Sequence, residues 1–289
     1  MSKVKGIFAA TMSVLNEDLS LNIFKTISHS EKLIDDGCHG VAIFGSTGQA
    51  QLISVSEKIK FLNELSKSKY KEKFIIGTGF NSLTETINFM KISSSLFFKR
   101  FLIMPPAYYK YGHEDVINFY EKIIQAVPDC EIILYNFEKL CGYKFDVTTV
   151  RELVKKFPKQ IIGIKDSTYN IFLEELQLDN FSILPGSETK LIKGLKIGCS
   201  GIITATCNVT AELSRKVYDD FVNNKSETDN KKLCDVREAF EKYNLISGIH
   251  AYYSTKEIIY KNVLPPLKLL GKKDYQDLER NLISLNFKN

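Results

Sequence analysis

The chain has 289 residues, with 44% hydrophobic and 25% charged side chains and a net charge of +5. Those proportions fit a globular protein with a packed core and exclude long disorder. The densest basic cluster, Lys67, Lys69, Lys71 and Lys73, is interrupted by Tyr70 and Glu72, so the charge reads as solvated helix faces and no nucleic-acid partner is expected.

Gly6 to Ala10 is a short run that is apolar through its centre. The same pattern returns at Gly40 to Phe44, Phe74 to Gly77, Arg100 to Met104, Glu131 to Tyr135, Ile161 to Ile164, Ser182 to Leu184 and Gly201 to Thr204. Continuous apolar runs suit parallel strands covered on both faces, whereas half-exposed strands alternate. Between the runs lie amphipathic stretches. Ser20 to Asp36 carries Leu21, Phe24, Ile27 and Leu33 at helical spacing. Ser56 to Lys67 follows Ser54 or Ser56 as a cap, with Glu57 in the first turn. Asp115 to Val127 sets Val116, Phe119, Ile123 and Ile124 on one face. Asp146 to Phe157 opens on an acidic cap and closes in lysines, as the helix dipole favours. Thr189 to Ile197 is a shorter helix of the same kind.

Eight βα units predict a closed (β/α)8 barrel, an α/β fold that reaches ~250 residues as one domain. A doubly wound open sheet is the rival, but no Gly-x-Gly-x-x-Gly follows the first strand. Beyond residue 210 the strand pattern stops. Helices are predicted at Ala211 to Val222, Asp229 to Leu245, Ser254 to Lys261 and Tyr275 to Leu285, with Leu264-Pro265-Pro266-Leu267 separating the last two. The expected organisation is a barrel over residues 1–209 and a helical region over residues 210–289 packed on it.

Chemistry in such a barrel sits where strands end. The sixth run ends in Lys165-Asp166-Ser167. Burial of an ammonium favours the neutral amine, the nucleophile that forms an imine with a carbonyl. The alternative is a lysine reaching solvent or paired with Asp166 or another acid. The fifth run ends in Tyr135, either a proton shuttle or a core aromatic with its hydroxyl tied to the backbone. The second run ends in Gly45-Ser46-Thr47-Gly48-Gln49, where two hydroxyls and exposed amides suit a carboxylate or cap the next helix. The fourth leads into Pro105-Pro106-Ala107-Tyr108-Tyr109, whose tyrosines could serve a subunit contact.

Other chemistries are poorly represented. His29, His39, His113 and His250 are isolated, with no metal spacing. Gly77 to Asn81 lacks the Gly-Lys-Ser/Thr of a phosphate-binding loop. Cys38, Cys130, Cys141, Cys199, Cys207 and Cys234 form no Cys-x-x-Cys pair and read as reduced thiols. No apolar leader opens the sequence, and no apolar run approaches the ~20 residues of a membrane span. A soluble, cytoplasmic protein is the expectation.

Five segments, in order, resemble the dihydrodipicolinate synthase / N-acetylneuraminate lyase family. They are Gly45-Ser46-Thr47-Gly48, Pro106-Ala107-Tyr108-Tyr109, Tyr135-Asn136, Gly163-Ile164-Lys165-Asp166, and Gly198 to Ile203 followed by Asn208-Val209. The resemblance spans about Gly6 to Leu267. It implies a class I aldolase or lyase in which Lys165 forms an imine with pyruvate or another 2-keto acid and Tyr135 shuttles protons. Ser46 and Thr47 would bind the keto-acid carboxylate. Tyr108 would enter a neighbouring subunit's site and complete a relay through Ser46 to Tyr135. Gly186, Glu188, Ile203 and Leu140 would line the substrate pocket. The imine is itself the electron sink, so no metal or organic cofactor is implied. A homotetramer, built as a dimer of dimers, is implied as well.

Departures bear on the substrate. Synthases of the family carry an arginine a few residues after the shuttle tyrosine; Leu140 stands there, beside Lys139. Leucine cannot grip a carboxylate, and lysine offers only a point charge. The sialic-acid lyases carry Asp-Glu where this chain has Glu188-Thr189, and a hydroxyl where it has Ala205. The usual Thr-Pro-Phe near the first strand is Thr11-Met12-Ser13. The favoured reading is an aldolase acting on a 2-keto-3-deoxy or related acid. Alternatives are 4-hydroxy-tetrahydrodipicolinate synthase and a non-catalytic keto-acid-binding descendant.

Overall fold

A computed structural model describes residues 4–174, 176–225 and 229–287. The eight apolar runs are eight parallel strands: β1 (Gly6–Ala10), β2 (Gly40–Ile43), β3 (Phe74–Gly77), β4 (Arg100–Ile103), β5 (Glu131–Asn136), β6 (Ile161–Asp166), β7 (Ser182–Pro185) and β8 (Gly201–Thr204). Strands β1 to β7 pair in chain order, and β8 pairs with β1. The remaining seam lies between β7 and β8, where the Ser200 amide donates to the Ile183 carbonyl at 2.9 Å. The sheet therefore curls into the expected barrel.

Side chains alternate across each strand and separate two cores. Phe8 and Ala10 of β1, Ile133 and Tyr135 of β5, and Leu184 and Ile203 of β7 and β8 fill the barrel. Ile7, Ala9, Ile132 and Leu134 face the helices instead. The β5–β6 register slips by one residue between Ile132 and Ile133, so Ile132 opposes Ile161 and Ile133 opposes Gly163. A Cβ at Gly163 would meet the Ser182 carbonyl at 2.6 Å, so glycine is what lets β6 and β7 approach beside this bulge.

Helices α1 (Ile23–Asp35), α2 (Val55–Leu65), α3 (Leu83–Ser95) and α4 (His113–Ala126) cover the first strands. They are followed by the single-turn α5 (Glu138–Cys141), α6 (Val147–Lys156), the single-turn α7 (Asn170–Leu173) and α8 (Leu191–Lys196). Asn22, Ser54, Ser82 and Asp146 cap α1, α2, α3 and α6, each accepting from the amide three residues on. Helix α3 has no counterpart in the predicted elements, although Ser82 and Glu85 have capping-box spacing. Helix α9 (Cys207–Val222) runs across residue 210 and packs on β1, so it closes the barrel's helical layer.

The predicted helix from Asp229 to Leu245 ends earlier, as α10 (Asn230–Glu241). Asn244 then caps a new helix, α11 (Leu245–Ser254), accepting from the Ile246 and Ser247 amides at 3.1 Å. The expected helix at Ser254 to Lys261 is corrected accordingly: only a 3-10 turn at Ile258–Lys261 stands there, before α12 (Lys272–Ser284). A single asparagine accepting from two amides resets the chain direction where periodicity alone runs on. Helices α10 to α12 enclose a third core, with Met12 and Val14 of the loop after β1. Among the described residues no helix is long and apolar enough to cross a membrane, and all six cysteines are free thiols.

Candidate active site

Tyr135 and Lys165 are register partners on β5 and β6 and share the inward face. They are 5% and 4% exposed, and Lys165 Nζ lies 4.2 Å from the centre of the Tyr135 ring. Among the described residues no carboxylate forms an ion pair with Lys165. Its sequence neighbour Asp166 points the other way, as strand alternation requires. Asp166 is fully buried, and it accepts from Asn136 Nδ2 and the Tyr169 and Phe172 amides, each at 2.8 Å. Burial nonetheless holds its carboxyl above the usual carboxylate range. The Lys165–Asp166 pair left open by the sequence is therefore absent, and Asp166 instead anchors the loop after β6.

The Tyr135 hydroxyl stands 3.1 Å from Ser46 Oγ, not against the backbone. Ser46 and Thr47 lie on a tight turn after β2, in which the Gly48 amide donates to the Gly45 carbonyl (3.1 Å) and the Gln49 amide to Ser46 (3.0 Å). Gln49 takes a left-handed φ of 55° at the end of that turn. Ser13 Oγ donates to the Gly48 carbonyl at 2.7 Å, tying the turn to the loop after β1. The Ser46 and Thr47 amides donate to no protein acceptor among the described residues.

The C-terminal region holds this turn from behind. Gln49 Nε2 stands 3.3 Å from His250 Nε2, and Gln49 Oε1 accepts from the Leu264 amide at 2.7 Å. His250 Nδ1 donates to the Tyr260 carbonyl at 2.8 Å, which leaves Nε2 to accept from Gln49. His29 is held between Asn208 Oδ1 (3.0 Å) and the Tyr260 hydroxyl (3.1 Å). Asn208 also donates to the carbonyls of Ala10 and Ala205, joining β1 to the loop after β8. Burial drives both histidines down to about 4.

A histidine depressed in the fold binds its proton more readily when unfolded, so stability is complete above about pH 6.5 and falls toward pH 4. Urea midpoints should drop on acidification from pH 7 to pH 5. A flat profile between those values would show that neither histidine is held neutral.

These side chains open on a cleft of about 780 Å³ at the carboxyl end of the barrel. Ser46, Thr47, Tyr135, Lys165, Gly186 and Leu140 are all in its lining. A Cβ at Gly186 would meet Ser167 Oγ at 2.4 Å, so glycine lets that hydroxyl reach the cleft wall. Two expected binding residues are not in the lining. Ile203 is fully buried inside the barrel. Glu188 is fully buried beneath the cleft, accepting from Thr204 Oγ1 (2.8 Å), Thr206 Oγ1 (2.7 Å) and Arg237 Nη1 (3.3 Å). A carboxylate with its oxygens engaged in this way is support for the wall and is not open to substrate. Tyr108 is not in this chain's cleft lining; it is 89% exposed with a φ of 87°.

The lining also holds residues the sequence did not single out: Arg237 and Glu241 of α10, and Tyr243 and Asn244 of the following turn. In sequence, Arg237 and Glu241 look like an ordinary i,i+4 surface pair. Among the described residues no group of three or more His, Cys, Asp or Glu stands close enough to share a metal ion.

A (β/α)8 barrel with a buried lysine packed on a tyrosine at the carboxyl ends of adjacent strands has the framework of a barrel carbon–carbon lyase. The chain belongs to the Dihydrodipicolinate synthetase family, whose model matches residues 3–285. A 2-dehydro-3-deoxy-D-gluconate/2-dehydro-3-deoxy-phosphogluconate aldolase of Picrophilus torridus is 27% identical over 234 residues, 78% of this chain and 86% of its own. An N-acetylneuraminate lyase of Actinobacillus pleuropneumoniae is 28% identical over 228 residues, 76% of each chain. The crystal structure of dihydrodipicolinate synthase from Agrobacterium tumefaciens matches with a TM-score of 0.87 at 22% identity, across 97% of this chain and 99% of that one, a likeness of fold.

Proposed function

We propose that the protein is a Schiff-base-forming aldolase that makes or cleaves a 2-keto-3-deoxy or related 2-keto acid, releasing or consuming pyruvate. One observation carries the reading: the buried Lys165 amine, free of any acid partner among the described residues, packs on Tyr135, whose hydroxyl reaches Ser46. In the cleavage direction the Lys165 amine attacks the keto carbon, and Tyr135 gives its phenolic proton to the departing hydroxyl, so that water leaves, a protonated imine remains and Tyr135 is left as the phenolate. The bond between C3 and C4 then breaks. Its electron pair enters the imine to give an enamine, while the Tyr135 phenolate takes the C4 hydroxyl proton as the aldehyde departs and so regains its phenol form. Protonation at C3 and hydrolysis return pyruvate and the free amine. The Ser46 and Thr47 amides, without a protein acceptor among the described residues, suit the substrate carboxylate. The imine acts as the electron sink, so the cycle calls on no metal or organic cofactor.

The same reading takes Tyr108 into a neighbouring subunit's site, within a homotetramer arranged as a dimer of dimers in the cytoplasm. The exposure of Tyr108 and of Tyr109, at 76%, supports such a contact. Ile203 would act from below, shaping the barrel floor under the imine.

Pyruvate with borohydride should add a reduced pyruvyl group irreversibly to Lys165, read by peptide mass. Folded protein that gains no adduct would sink the proposal and favour a non-catalytic binder. The synthase alternative shares this chemistry and is separated by its second substrate. Leu140, 45% exposed in the cleft lining, cannot grip the carboxylate of aspartate semialdehyde, so little condensation with it is expected.

A further inference from the structure

The cleft wall contributed by α10 has no role in the imine chemistry, yet its polar atoms are arranged with care. Arg237 is 4% exposed, and its Nη1 donates to Thr204 Oγ1 (2.8 Å), Thr206 Oγ1 (3.0 Å) and Glu188 Oε2 (3.3 Å). Its Nε and Nη2 both donate to one oxygen of Glu241, Oε1, at 2.9 and 2.6 Å. Both residues line the cleft, and the Glu241 side chain is 41% exposed. Glu241 Oε2 accepts from no group among the described residues. The wall thus presents one fixed carboxylate oxygen, backed by a guanidinium whose charge is already shared between Glu188 and Glu241.

Such a wall suits some substrate tails and rejects others. A sugar hydroxyl can donate to Glu241 Oε2 with no net charge to desolvate. A terminal phosphate or carboxylate would face Glu241 and Glu138, with only the exposed Lys139 on the rim left to balance it. We infer that Glu241 is the residue that selects the aldehyde half of the substrate, that Arg237 is its positioning residue, and that the preferred substrate is a 2-keto-3-deoxy acid with an uncharged polyhydroxy tail. This assignment rests on the aldolase reading given above and extends it to the far end of the same cleft.

The test measures pyruvate release from two 2-keto-3-deoxy acids of equal length, one ending in a hydroxyl and one in a phosphate. The unaltered protein should favour the hydroxyl-ended acid. Glu241→Ala should lower kcat/KM for it by about 10- to 100-fold, mainly through KM, as a lost hydrogen bond to a charged group predicts. Glu241→Gln keeps an oxygen for Arg237 but puts an NH2 donor where the free acceptor stood, so it should lose tail recognition while keeping the wall intact, which separates the lost acceptor from local misfolding. Borohydride trapping of pyruvate on Lys165 should persist in both variants, so that loss of tail recognition is distinguished from loss of the imine site. A Glu241→Ala value within twofold of the unaltered protein would overturn the assignment. So would preference for the phosphate-ended acid, or no cleavage of the hydroxyl-ended acid by protein that traps pyruvate. Absence of trapping in the unaltered protein overturns the aldolase reading, and this assignment with it.

Discussion

Lys165→Ala should lower pyruvate-releasing turnover by about 10⁴-fold or more and remove the borohydride-trapped adduct altogether. The magnitude follows from the position of the amine. Lys165 is buried at the end of β6 against the Tyr135 ring, and the other lysine of the lining, Lys139, sits exposed on the rim. Lys139 therefore cannot take over attack from the barrel axis. The variant should still fold. It deletes a buried polar group that has no ion-pair partner among the described residues, which offsets part of the cost of the cavity left behind. Turnover within tenfold of the unaltered protein, with a folded circular-dichroism spectrum, would show that imine formation occurs elsewhere or not at all.

Glu188→Ala should destabilise the fold by about 3–5 kcal/mol, and lower the melting temperature by on the order of 10 °C. Its carboxylate is fully buried, with Thr204, Thr206 and Arg237 on Oε2 and Thr210 Oγ1 3.1 Å from Oε1. Removing it leaves a buried guanidinium with part of its partnership gone and strips the threonine hydroxyls of their acceptor. Glu188→Gln retains one acceptor oxygen and should cost less. Denaturant titration gives both values, and a loss below about 1 kcal/mol for the alanine variant would mean that water replaces the carboxylate. Because Arg237 also holds Glu241, the alanine variant should weaken substrate tail binding in the protein that remains folded.

Glu188 marks the boundary of what the sequence could convey. Its place after Gly186 suggested a residue facing the substrate, by resemblance to relatives with acids at that point. Its partners come from β8, α9 and α10, up to 49 residues away. Only the packing of α10 against the 3-10 turn at Glu188–Lys190 brings Arg237 onto it. The converse holds for Glu241, which the sequence reading did not single out and which lies in the cleft. The break at Asn244 was similarly hidden, because apolar periodicity continues across it while the side chain's two backbone contacts start a new helix.

The eight strands were legible because each is a continuous apolar run between amphipathic helices, a property of neighbouring residues. The side chain at each strand's end was legible for the same reason, and it included Lys165, Tyr135 and the Ser46-Thr47 turn. Sequence alone therefore determined the barrel and the catalytic candidates. It could not decide whether Lys165 pairs with Asp166, whether the Tyr135 hydroxyl is tied to the backbone, or which charges form the far wall. Those outcomes depend on strand alternation acting at a particular register, on a contact between Ser46 and Tyr135 across 89 residues, and on where α10 docks. Hydrogen bonds and ion pairs act over a few ångströms in space, and only the closed barrel brings those groups within reach.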